Sequence, residues 1–256
     1  MLPASLGSYG LAATACVGIL GLMSTGRLSR HWPLIGFAVI ALAWAAAGGW
    51  AAWSGQTTPL YPVLDLGRSL ALLLLVADGL RRVAGRQAEP LWRTRPGALV
   101  LGLAALALPL AAASLILGAD AVRWLLIGQV GTAVVGLFLI ENLFQAGGAD
   151  GRWSSKHLVI GSGAVFAFDL FFYTDALLLL RINHTIQSVQ PIIAVLVLPL
   201  ILVSSRRLSS IRIDLPVSRR LLVSTTALVA SGLYFLAAAG IAYMIRGLGL
   251  GWEVGS

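Results

Sequence analysis

Long apolar runs alternate with short polar stretches along the whole chain, and eight of these runs read as bilayer-crossing helices. They fall at about 6–25, 33–54, 62–80, 97–117, 125–144, 158–180, 189–204 and 221–245. A bilayer core takes about 20 apolar residues per helix, so 189–204, with Pro191 and Pro199, is the least complete crossing. The pattern predicts an all-α fold: a polytopic transmembrane helical bundle forming a single integral-membrane domain over 1–256. Pro109 predicts a kink in the fourth run. The small residues Ala45–Gly49 predict close approach of a neighbouring helix to the second.

One run breaks the apolar monotony. Phe166 to Leu180 reads FAFDLFFYTDALLLL, with Asp169, Tyr173 and Asp175 inside it. A central aspartate costs about 2.5–3.5 kcal/mol to insert, and each Leu, Ile, Phe or Val returns about 0.3–0.6. The 13 such residues in 158–180 roughly balance the two acids, so this helix needs neighbours that receive its polar groups. The third run poses the same problem with Asp65, Arg68 and Asp78.

Composition agrees with a membrane protein. The chain is 58% hydrophobic and 11% charged, against about 25% charged for soluble domains. Its net charge of +8 would suit nucleic acid, but the arginines sit in connectors between apolar runs, where they signal topology. The partner they imply is the lipid bilayer; no nucleic-acid partner is expected. Alternate connectors, starting after the first run, hold 14 of the 18 Lys and Arg. Positive connectors stay cytoplasmic, which places the N-terminus outside and, after eight crossings, Ser256 outside as well. Trp32, Trp92 and Trp153 would mark the inner interface, and Trp53, Trp124 and Trp252 the outer one. The opening MLPASLGSYG lacks the positive n-region of a secretory signal, so the first run reads as a retained span. Cys16 is the only cysteine and sits in an apolar run, as a packing residue would.

Helical spacing sorts the polar residues. Asp65 and Arg68 share a face at i, i+3, as do Asp169 and Tyr173 at i, i+4. Asp175 is turned by about 120° from Asp169. By depth, the spacing predicts a polar cluster in the outer leaflet of Asp65, Arg68 and Asp175, with Arg181 as a further member. Asp169 lies nearer the midplane. Together with Tyr173 these are the candidate ligand- or signal-sensing residues. Ionisable groups within a membrane mark sites or relays, or else join helices by hydrogen bonds worth about 0.6 kcal/mol each; spacing alone leaves both readings open. Glu141 and Asn142, at the end of the fifth run, form either a coupling contact or a solvated helix end. Asp78 and Arg82, at i, i+4, form a local ion pair.

Catalytic chemistry finds no foothold. His31, His157 and His184 are scattered without metal-ligand spacing. Gly247, Gly249 and Gly251 follow a helix, unlike a phosphate loop, and read as a connector. No Ser–His–Asp set or G-x-S-x-G occurs, and no catalytic residue, metal site or cofactor is expected in this chain.

The second half carries an ordered series of motifs: ENLF (Glu141–Phe144), Arg152, Trp153 and Lys156, FAFDLFFYTDALLL (Phe166–Leu179), PLILVSSRR (Pro199–Arg207), SRR (Ser218–Arg220), TTAL (Thr225–Leu228), SGLYFLAAAG (Ser231–Gly240) and YMIR (Tyr243–Arg246). This series resembles the N-terminal membrane region of the PEP-CTERM-system sensor histidine kinases, the PrsK family. The resemblance runs from about residue 136 to the end. In the first half it rests on hydropathy and the pair Asp65 and Arg68. It implies a sensory or anchoring module of a two-component system in the bacterial inner membrane, linked to exopolysaccharide production and protein sorting at the envelope. It also implies a homodimer, and a later kinase core that uses ATP and Mg and acts on a response regulator. In the family a ninth helix and that core follow; the present chain ends at Ser256, before both. The alternative from another class is a small-solute or lipid-linked-sugar transporter, or a membrane scaffold. A membrane enzyme using Asp169 and Tyr173 as acid and base is a weaker third.

Overall fold

The computed structural model describes residues 2–24, 32–56, 58, 60–85, 89–117, 119–146 and 149–210. The eighth apolar run lies outside them, as do His31, the first basic connector, Trp252 and the terminal glycines.

Each apolar run among the described residues forms a helix, because a backbone within lipid must satisfy its own hydrogen bonds. The helices are α1 (Leu2–Ser24), α2 (Trp32–Ser54), α3 (Leu60–Val83), α4 (Arg95–Leu117), α5 (Ala119–Ala146), α6 (Ala149–Leu179), the single turn α7 (His184–Gln187) and α8 (Gln190–Ser210). A 3-10 turn at Leu91–Arg93 precedes α4, and no strand occurs among the described residues. Seven helices among the described residues are long and apolar enough to cross a bilayer, which makes this a multi-pass membrane protein of the all-α class. Several helices outrun the apolar stretches that define them. The sixth begins nine residues before Leu158, and the seventh continues from 190 to 210, through Pro199. Pro109 likewise lies inside a continuous α4, and Pro191 occupies the first turn of α8, where no backbone N–H is required.

Helices α1, α2, α3, α5, α6 and α8 neighbour one another in that order, and α8 returns to α1. Helix α4 packs on the outside, against α3 and α5. Helix α3 also reaches α6 and α8 across the ring. It is the most enclosed span, 61% buried, which is why a run carrying two acids and three arginines can sit there. Trp32, Trp92 and Trp153 are exposed at one end of the bundle; Trp53 and Trp124 are exposed at the other. We call the first the basic end, since Arg81, Arg82, Arg93, Arg95, Lys156 and Arg207 lie there.

Glycine sets the closest helix approaches. At Gly48, in the small-residue stretch of α2, a Cβ would fall 2.2 Å from the Tyr9 ring of α1. At Gly136 of α5 it would fall 2.6 Å from the ring of Phe166, which is wholly buried on α6. Around Gly131, five residues earlier on the same helix, there is open space. Overpacking a tight core costs about 1–3 kcal/mol. Gly136→Ala is therefore expected to lower stability by that amount in equilibrium unfolding. Gly131→Ala should leave it unchanged or raise it by up to about 1 kcal/mol through helix propensity.

Candidate functional site

Helix α3 brings Tyr61, Asp65, Arg68 and Ser69 onto one stripe, at spacings of four, three and one. Arg68 is the anchor. Its side chain is 2% exposed, and its guanidinium lies between two equally enclosed carboxylates. Asp65 Oδ1 accepts from Arg68 Nε at 3.2 Å and lies 3.1 Å from Nη2. From α6, both oxygens of Asp169 accept from Arg68 Nη2, at 3.2 and 3.1 Å. Depth explains the match. Arg68 is eight residues into α3, about 12 Å from its start, and Asp169 is ten residues, about 15 Å, from the same end of α6.

Two carboxylates face one guanidinium, and neutral donors complete the shell. Tyr173, one turn after Asp169, donates its hydroxyl to Asp65 Oδ2. The Ser69 hydroxyl donates to Asp169 Oδ2 at 3.3 Å. Gln190 opens α8 and donates from Nε2 to Asp65 Oδ1 at 3.2 Å and to Asp169 Oδ1 at 3.3 Å. Every carboxylate oxygen thus accepts at least one hydrogen bond. The Gln190 carbonyl accepts from the Tyr61 hydroxyl at 3.3 Å, and the Tyr61 and Tyr9 hydroxyls lie 2.8 Å apart. The ring of Trp44, from α2, lies 4.7 Å from Arg68 Cζ and offers the cation its π face. Five helices (α1, α2, α3, α6 and α8) therefore contribute to one network, and α2, α3 and α6 touch its guanidinium.

The connector between α6 and α8 places Gln190. Leu180 ends α6 in the left-handed conformation, φ +49°. Asn183 then caps α7, its side chain accepting from the N–H groups of Thr185 and Ile186. One short turn later α8 starts with Gln190 buried against α3.

The structure joins four of the six expected residues, Asp65, Arg68, Asp169 and Tyr173, and leaves out two. The cluster takes Asp169 where depth counting favoured Asp175. Asp175 is half-buried on another face of α6, and its Oδ2 has no hydrogen-bond partner among the described residues. Arg181 is exposed, beyond the end of α6. Spacing along single helices missed Tyr9, Trp44, Tyr61, Ser69 and Gln190. The Tyr61–Asp65–Arg68–Ser69 stripe was a readable signal, whereas nothing local marks Tyr9 or Trp44. Glu141 and Asn142 lie before the last turn of α5 and are half-buried, not a solvated end. Both are bonded within α5: Gln145 Nε2 donates to Glu141 Oε1 at 2.8 Å, and Asn142 Nδ2 to the Phe138 carbonyl at 2.7 Å. Asp78 pairs with Arg82 at 2.7 Å and also with Arg81. No metal-binding group of three His, Cys, Asp or Glu occurs among the described residues.

Fold and site together define a multi-pass helical membrane protein with an internal charge network in which every carboxylate oxygen accepts a hydrogen bond. No protein-family model, curated protein or solved structure matches the chain.

Removing one member of a buried ion network strands its partners, at about 3–5 kcal/mol. Arg68→Gln should cost that much in equilibrium unfolding in mild detergent. Asp175→Asn, outside the network, should cost less than about 1 kcal/mol.

Proposed function

We propose that the chain is the membrane-embedded sensory module of a two-component sensor histidine kinase serving exopolysaccharide and PEP-CTERM processes at the cell envelope. What supports this reading is where its motifs meet. The segment Phe166–Leu179, the most distinctive part of the resemblance, supplies Asp169 and Tyr173. Their partners are Arg68 and Asp65, the one pair that extends the resemblance into the first half. In this proposal the protein lies in the bacterial inner membrane with its basic connectors cytoplasmic and its N-terminus periplasmic. The charge network then sits in the periplasmic half of the bilayer. A signal there shifts the bundle between two packings by contacting them unequally, and the shift passes to a kinase core that binds ATP and Mg, dimerises and phosphorylates a response regulator.

The complete reading frame is the first test: a kinase core downstream supports the proposal, and its absence overturns it. The second is Tyr173→Phe in the full-length protein, which removes one hydroxyl from the network at nearly constant volume. A bias of about 1.4 kcal/mol between two states is a tenfold population change. Phosphorylation of the response regulator is expected to change by about that factor at unchanged membrane abundance. Wild-type output from this variant, or solute uptake by the wild type in proteoliposomes, would point instead to a scaffold or a transporter.

A further inference from the structure

A second polar convergence lies at the basic end, away from the network. Trp153 and Lys156 are one turn apart on α6, and the Lys156 ammonium lies 3.2 Å from the centroid of the Trp153 ring. Arg207, near the end of α8, brings its guanidinium to 5.8 Å from the same ring. Two cations from different helices thus converge on one indole. His157 beside them is within electrostatic reach of both, and its Nδ1 is enclosed without a hydrogen-bond partner among the described residues. None of the salt bridges among the described residues involves Lys156. Arg81 and Arg82 differ in this respect, since Asp78 holds both.

The surface above this site is apolar on both helices. Ile160, two turns from Trp153, is 60% exposed, and Phe171 further along α6 is 58% exposed. On α8, Val203 lies one turn from Arg207, and it and Leu196 are exposed. The two helices pack side by side, so paired apolar stripes lead from the membrane interior to the cations. Trp153, 62% exposed, stands where the stripes end, at the level where indoles mark the boundary between acyl chains and headgroups.

We propose that Lys156, Arg207 and Trp153 form a binding site for the phosphate of an anionic phospholipid, with an acyl chain lying along the α6–α8 surface. The Lys156 ammonium, which none of those salt bridges holds, and the Arg207 guanidinium that meets it at the same indole supply the charge, and the stripes supply the apolar path that a soluble phosphate would not use. The inference rests only on the multi-pass membrane fold, so it stands or falls independently of the sensor proposal.

The test is binding of phosphatidylglycerol to the full chain in phosphatidylcholine nanodiscs, counted by native mass spectrometry. Each basic residue near an anionic surface contributes about a factor of five, so Lys156→Gln with Arg207→Gln should weaken binding roughly 30-fold. Arg93→Gln with Arg95→Gln removes the same charge from exposed positions at the same end and should weaken it less than about threefold. Lys156→Arg with Arg207→Lys should retain affinity, which separates charge from folding. Equal losses in the two neutralised pairs would reduce the effect to diffuse surface attraction and overturn the site. Unchanged affinity in the first pair, loss in the exchanged pair, or displacement of the lipid by millimolar inorganic phosphate would overturn it too.

Discussion

A guanidinium that has left water for the interior of a lipid-embedded bundle must find its counter-charges inside the protein, and Arg68 finds them on two helices. An isolated charge at mid-bilayer costs at least about 2.5–3.5 kcal/mol. Asp65 and Asp169 offset it only because they are held at hydrogen-bond distance and their own oxygens are filled by Tyr173, Ser69 and Gln190. The arrangement of the ring follows from this constraint. Helix α3 is the most enclosed of the described spans and carries the cation, and α6 and α8 turn toward it the faces that carry its partners.

Ion pairs of this kind add little net stability, yet they are costly to break from one side. Their consequence is register. Hydrophobic packing in lipid tolerates rotation and sliding of helices, since acyl chains are as apolar as leucine. A network requiring Arg68, Asp169 and Gln190 at one depth fixes the rotation and height of α3, α6 and α8 together. The contact of Gly136 with Phe166 fixes α5 against α6 by shape in the same way. Such a bundle has a well-defined packing, in which one polar network joins side chains from five helices.

Much of this was legible in the residues. Hydropathy located seven helices and the tryptophans at their ends, and i, i+3 and i, i+4 spacing found Asp65 with Arg68, Asp169 with Tyr173 and Asp78 with Arg82. Hydropathy did not show where helices extend past their apolar cores, because α5, α6 and α8 continue through polar turns that lipid scales score as loops. That error moved the depth estimate. Counted from Leu158, Asp175 seemed level with Arg68, whereas counted from the end of α6 Asp169 is level with it. Gln190 was hidden for another reason: it owes its position to Leu180 and Asn183, which stop one helix and cap the next, a backbone effect that no periodicity reveals. Tyr9 and Trp44 sit in apolar runs that read as plain packing, and only tertiary contact gives them a polar role.

The account reduces to a coupling between two side chains that are 101 positions apart in the chain. A double-mutant cycle on Arg68→Gln and Asp169→Asn, by reversible unfolding of the full chain in mild detergent, measures it directly. The account predicts that the double variant costs about 2 kcal/mol or more less than the sum of the single variants, at the upper part of the range for directly contacting groups. Single costs that add to within about 0.5 kcal/mol would contradict it, because the guanidinium and the carboxylate would then be independent.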